Sequence, residues 1–200
     1  MWKYIFCIIF GYLLGSIPFG YIVGKIWKNI DIRKYGSGNI GATNVYRTIG
    51  PIPGIIVLFC DIGKGILPVF ITKKFFSSPL FLIGVGISAI IGHSYSIFLK
   101  GKGGKSVSTS FGVILILFPK AAIFSFLIWL LTIFITRYVS LSSILGSFSL
   151  PFFIYFYYHD YILTFIGIVI FFLILYRHKE NLKRIKNKKE NKFIFPWMKK

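Results

Sequence analysis

Long apolar stretches alternate with short charged or glycine-rich breaks along this whole chain, and that alternation limits what it can fold into. The stretches fall at about 2–24, 49–72, 79–99, 106–118, 121–136, 139–157 and 161–176. A helix standing upright in a bilayer needs roughly 20 apolar residues, and several of these approach or exceed that length. With 56% hydrophobic and 20% aromatic residues in 200, no soluble core could bury so much apolar surface. The expected fold is therefore an all-α, polytopic integral membrane bundle in a single membrane domain over 1–200. The fourth, fifth and seventh stretches are short, so five spans stay open beside seven. Pro119 with Lys120, and Arg137 with Tyr138, are the breaks that favour seven. The first stretch lacks a small-residue cleavage site and reads as a span, not a signal peptide.

Charge gives the orientation. The 24 Lys and Arg face only five acids, Asp31, Asp61, Asp160, Glu180 and Glu190. With seven spans and the N-terminus outside, nineteen of the 24 basic residues lie inside, ten of them in the tail 177–200. An odd number of spans with a cytoplasmic C-terminus fits that asymmetry. Nucleic acid is not an expected partner, because the charges sit between apolar segments and not along one soluble face. Cys7 and Cys60 lie inside apolar runs and read as small buried side chains. Gly11 with Gly15, and Gly20 with Gly24, have the spacing that lets membrane helices approach closely.

Two inner-face segments combine glycines with anion donors. The first, DIRKYGSGNIGATNVYR over 31–47, holds Gly36, Gly38 and Gly41 in G-x-G-x-x-G spacing. A span precedes it where a dinucleotide fold would need a strand, so that reading fails. The physics of the loop survives. Glycines let several N–H groups converge on one anion, while Ser37, Asn39, Thr43 and Asn44 add side-chain donors and Arg47 a forked one. The second segment, over 92–110, sets Gly101, Gly103 and Gly104 among Lys102 and Lys105, followed by Ser106. Leu99 stands where a Walker loop needs its first glycine, which excludes a nucleotide hydrolase but leaves a phosphate cradle at a helix start. His93 is open between a packing residue and a catalytic base. Asp61 and Lys64, three apart within the second stretch, are expected to pair on one helix face, in a tightly packed site flanked by Gly63 and Gly65. A third basic segment is the tail from Arg177, where Asn181 and Glu190 stand out, since holding anionic lipid headgroups requires neither. Ser140 and Ser143 beside Arg137 add further phosphate-compatible groups.

The acids present exclude several chemistries. No carboxylate pair suits glycoside hydrolysis, and no G-x-S-x-G elbow occurs. No histidine is followed by an aspartate at the spacing common in glycerolipid acyltransferases: the residues five on are Phe98, Thr164 and Lys183. Catalysis by positioning and charge neutralisation remains, and an acyl donor with a phosphate leaving group fits it. Neither a metal nor any other cofactor is expected.

Together, GSIPFGYIVGK, GSGNIGATNVYRTIG, FCDIGKG, GHSYSIFLKGKGGKSVST and RHKENLKRI resemble, in order, the motifs of the bacterial acyl-phosphate:glycerol-3-phosphate acyltransferase family. The resemblance covers nearly the whole chain. It implies a seven-helix enzyme of the bacterial cell (inner) membrane that makes lysophosphatidic acid from glycerol-3-phosphate and a long-chain acyl phosphate. It further implies that Ser37 and Arg47 serve the first phosphate segment, and that Lys105, Ser140 or Ser143, and Asn181 complete the glycerol-3-phosphate pocket. His93 matches the family's Gly-His pair and Glu190 its C-terminal acid. The family carries a glycine shortly before that acid, where this chain has Asn187-Lys188-Lys189. Docking of the soluble enzyme that makes acyl phosphate is left open. So are two other readings: a transporter of phosphorylated metabolites, for which charges near mid-membrane and repeated halves would be expected, and a scaffold binding anionic lipid, which would explain the lysines but not the glycine-rich loops.

Overall fold

A computed structural model of the chain describes residues 1–195; the end of the basic tail, with Lys199 and Lys200, lies outside the described residues. Among those described, every regular element is helical. In chain order they are α1 (Trp2–Ser16), α2 (Phe19–Lys28), α3 (Ala42–Thr48), α4 (Pro51–Lys73), α5 (Pro79–Ser94), α6 (Val107–Leu117), α7 (Pro119–Thr136), α8 (Val139–Tyr158), α9 (Tyr161–Arg177) and α10 (Lys179–Lys186). Helices suit this composition because they satisfy every backbone polar group within one segment, as lipid requires.

Five stretches are long and apolar enough to cross a bilayer: Trp2–Lys28, α4, Pro79–Leu99, α7 and α8. The pair α9 and α10, bent by 59°, makes a sixth if it counts as one span, and α6 is shorter. Proline and glycine set many of the boundaries. Pro51, Pro79 and Pro119 open their helices at the first position, where a missing N–H leaves nothing unsatisfied. Asp160 caps α9, accepting from Ile162 N at 2.7 Å and Leu163 N at 3.0 Å. One boundary departs from the sequence expectation. The first apolar stretch is not one helix but breaks at Ile17–Pro18, since proline cannot continue the hydrogen-bond ladder.

The chain divides into two compact units, Met1–Leu117 and Phe118 onward. In the first, α1 packs on α5 and α4 on α6. Those approaches are backbone to backbone. Gly15 lies against the Ala89 backbone, Gly65 against Thr109, and Gly112 against Ile62, so any side chain there would clash. Gly63, expected to share this tight packing, faces nothing within 4 Å. In the second unit α7, α8 and α9 pack in sequence. Large apolar side chains such as Phe59, Ile135, Phe156 and Phe172 are exposed, as a lipid-facing surface demands. Cys7 and Cys60 are half-buried and unpaired, not fully enclosed as their surroundings in sequence suggested.

Candidate active site

The first glycine-rich segment is a tight loop folded around one side chain. The amide of buried Asn44, on α3, donates to Ile32 O at 3.3 Å, Tyr35 O at 3.1 Å and Asn39 O at 2.8 Å. Its oxygen accepts from Ser37 N at 2.9 Å. Gly36 and Gly38 turn the chain with φ of 58° and 71°, which only glycine adopts without strain. Asn39 closes a local turn by accepting from Gly41 N at 2.8 Å. Asn44 and Asn39, expected as substrate ligands, are therefore the loop's internal scaffold. At the loop's entry the Arg33 guanidinium forks onto Asp31 at 2.7 and 2.9 Å, and this hydrogen bonding holds the Asp31 carboxyl down at about 2. Ser37 and Gly38 remain exposed, Thr43 half-exposed, and Arg47 projects exposed from α3.

The second segment is folded back on the end of α5. Gly101 N donates to Ser96 O at 2.8 Å, Gly103 N to Ser94 O at 3.2 Å and Gly104 N to His93 O at 2.9 Å. The Gly103 and Gly104 N–H groups hold the loop to α5, while Gly101 closes a turn onto Ser96, and at Gly103 and Gly104 the missing side chain lets the loop lie directly on residues 93 and 94. Ser106 is also turned inward, donating to Ile90 O at 2.8 Å and sharing a 2.5 Å contact with Ser94 Oγ. Lys105, between two buried neighbours, is half-buried and stands two residues before α6, whose first-turn N–H groups have no helical acceptor.

His93 sits beneath this loop and is only 4% exposed. Its Nδ1 lies 3.2 Å from Thr109 Oγ1 and 3.7 Å from Asp61 Oδ1, while its Nε2 side lies against Gly104. The structure gives it a supporting place under the loop. Asp61 and Lys64 pair as expected, at 2.8 Å.

Leu99, at the mouth of the second segment, shares a buried apolar cluster with Ile32, Ile40 and Val45 of the first and with Val57 of α4. That cluster brings the two basic segments to one end of the first unit. The contact was invisible in sequence, where Val45 and Leu99 lie more than 50 residues apart.

In the second unit the expected residues converge on Glu190. One carboxylate oxygen accepts from Ser140 Oγ at 2.8 Å and Asn181 Nδ2 at 2.7 Å, and the other from Arg184 Nε at 2.7 Å. Burial alone would push the Glu190 carboxyl up, but Arg184, Asn181 and Ser140 outweigh it and hold it below the ordinary glutamate range. Arg184, counted at first only among the tail's basic residues, belongs to this hub. Ser143 is turned away, donating to Val139 O at 2.8 Å within its own helix. The absent glycine also finds its explanation here. Lys188 takes the left-handed backbone conformation, φ 54°, that a glycine would adopt freely, and so turns the chain toward Glu190.

Residues 5–188 match the family described as glycerol-3-phosphate acyltransferase. A glycerol-3-phosphate acyltransferase of Desulforamulus reducens is 51% identical over 144 residues, 72% of each chain. One of Carboxydothermus hydrogenoformans is 45% identical over 184 residues, 92% of this chain and 93% of its own. Two crystal structures are also similar, those of PlsY (YgiH), an integral membrane glycerol 3-phosphate acyltransferase, in glycerol 3-phosphate and lysophosphatidic acid forms. They match with TM-scores of 0.90 and 0.88, each at 42% identity and over 96% of both chains. By a match that runs through nearly all of its described helices, the chain belongs to the glycerol-3-phosphate acyltransferase family.

Proposed function

We propose that this membrane enzyme transfers an acyl group from a long-chain acyl phosphate to glycerol-3-phosphate, giving lysophosphatidic acid and inorganic phosphate. The observation that carries the reading is the shared apolar cluster of Ile32, Ile40, Val45 and Leu99. It gathers two basic segments, bearing Ser37, Arg47 and Lys105, at one end of the first unit. Two substrates that each bring a phosphate are what such donors suit.

The chemistry follows from what the side chains can supply. The glycerol-3-phosphate hydroxyl attacks the acyl carbonyl carbon, an ester bond forms, and the bond from that carbon to the phosphate oxygen breaks. The hydroxyl proton leaves with the phosphate, so no side-chain base is required. Lys105 and Arg47 neutralise charge on the phosphates, and orientation of two bound substrates can lower the barrier by ~7–11 kcal/mol. The acyl chain enters from the bilayer along apolar helix faces. Seven crossings, with the N-terminus outside and the tail in the cytoplasm of a bacterial cell, place most Lys and Arg on the inner face.

The test uses purified protein in detergent with glycerol-3-phosphate and either acyl phosphate or acyl-CoA. Phosphate and lysophosphatidic acid should appear in equal amounts from acyl phosphate, and nothing from acyl-CoA. Turnover of acyl-CoA at a similar rate would overturn the choice of donor. Folded protein inactive with both, but carrying labelled glycerol-3-phosphate into vesicles, would replace the enzyme reading by a transporter.

A further inference from the structure

One charged pair lies buried inside the first unit, beside His93 of the second basic segment. The Asp61 and Lys64 side chains are only 3% and 2% exposed, and their charged ends approach to 2.8 Å. Charges enclosed in a membrane helix are costly, and an apolar pair of similar size serves stability as well or better. Their connections show what the pair does. Lys64 Nζ donates to Ile17 O at 2.7 Å and lies 5.5 Å above the Phe19 ring, so it grips both sides of the Pro18 break. The Asp61 carboxylate faces the His93 imidazole, which Thr109 holds at the same nitrogen. The opposite edge of that ring lies against Gly104, the residue before Lys105.

We propose that the Asp61–Lys64 pair is a positioning device: it fixes the His93 ring on which Gly104 rests, and thereby sets where Lys105 presents its charge. Its catalytic consequence rests on the acyl-transfer reading above. Four elements meet at this point: the α1–α2 break through Ile17, α4 through the pair, α5 through His93 and α6 through Thr109. Lys64 Nζ, at 2.8 Å, holds the same oxygen, Asp61 Oδ1, that lies 3.7 Å from His93 Nδ1, and so keeps that oxygen in one place. A ring fixed at Nδ1 presents the same edge to the loop in every molecule. Two buried contacts, Asp61 Oδ1 to His93 Nδ1 at 3.7 Å and the ring edge to Gly104, then separate the pair from Lys105.

The deciding experiment compares the parent with D61L/K64M, which removes both charges and leaves neither partner unpaired. Thermal unfolding should stay level or rise. Amide exchange over Gly101–Ser106 should speed up, and KM for glycerol-3-phosphate should rise about tenfold or more, because small misplacements of a binding group weaken binding strongly. A purely structural pair would change the folded fraction, and so kcat, while leaving KM and loop exchange at parental values; that result overturns the proposal. If the double variant does not accumulate, Thr109→Val removes the ring's hydroxyl partner at nearly constant volume and is read by the same two measurements. The exchange arm needs no substrate. A parent protein without turnover therefore counts against the function and not against the positioning of the loop.

Discussion

Lys105→Ala lowers kcat/KM for glycerol-3-phosphate by about 10²–10³-fold while the protein keeps its fold, because removing one fixed charge from a developing anion has an effect of that order. The surroundings of Lys105 explain why the change is local. Gly104 before it is tied to the His93 carbonyl, and Ser106 after it is buried and bonded to Ile90 and Ser94. The loop's path is set by those neighbours, so truncating the side chain between them leaves the backbone in place. Lys105→Arg keeps the charge but not the shape. A planar fork on a longer stem cannot occupy the place of a compact ammonium, and activity between the two extremes is expected. Steady-state kinetics with unfolding followed in parallel checks both. A Lys105→Ala protein that is folded and turns over within a factor of about 3 of the parent would remove the lysine from the chemistry.

Glu190→Ala is the corresponding test in the second unit, and its main effect falls on stability. Its carboxylate is the common acceptor for Ser140, Asn181 and Arg184, and its side chain is 5% exposed. Removing one partner from a buried charge pair costs about 3–5 kcal/mol, and Arg184, at 37% exposed, brings the figure nearer about 2 kcal/mol. For a chain of this length that is a fall in Tm of about 4–8 °C. Acid should erase the difference. Glu190 titrates below its ordinary value in the folded chain, so its contribution is complete above the unfolded pKa of about 4.3 and fades as pH drops through the lower folded value. Parent and variant should thus differ in Tm at neutral pH and converge in strong acid. A constant difference at every pH would show that the carboxylate's charge is not what holds the hub.

The helices and the hub differ in how far the sequence disclosed them. Lipid enforces long apolar runs, so α4, α7 and α8 could be located from composition and proline placement. The Pro18 break escaped notice because apolar residues continue on both sides and only the backbone records it. The glycine loops were recognisable as phosphate-suited, but the sequence did not disclose which carbonyls their amides meet. Amides at Gly103 and Gly104 hold the loop to α5, and nothing in local sequence distinguishes an amide facing an anion from one facing a carbonyl. Asn44 was missed as a scaffold for the same reason. The Glu190 hub depends on Ser140, 50 positions away, and on a left-handed Lys188 doing the work of a glycine. Resemblance named that acid; only the fold shows what it binds. Asp61 and Lys64 were a predictable pair, whereas their line through His93 to Gly104 runs from α4 through α5 to a loop and has no linear signature.

The central claim is that the acyl group passes directly between two phosphate-bearing substrates, with no side chain carrying it. Phosphate release from acyl phosphate, followed rapidly with and without glycerol-3-phosphate, tests this most directly. Direct transfer gives no phosphate burst without the acceptor, and equal phosphate and lysophosphatidic acid once it is added. A burst matching the enzyme concentration in the absence of acceptor would reveal an acyl-enzyme and contradict the account.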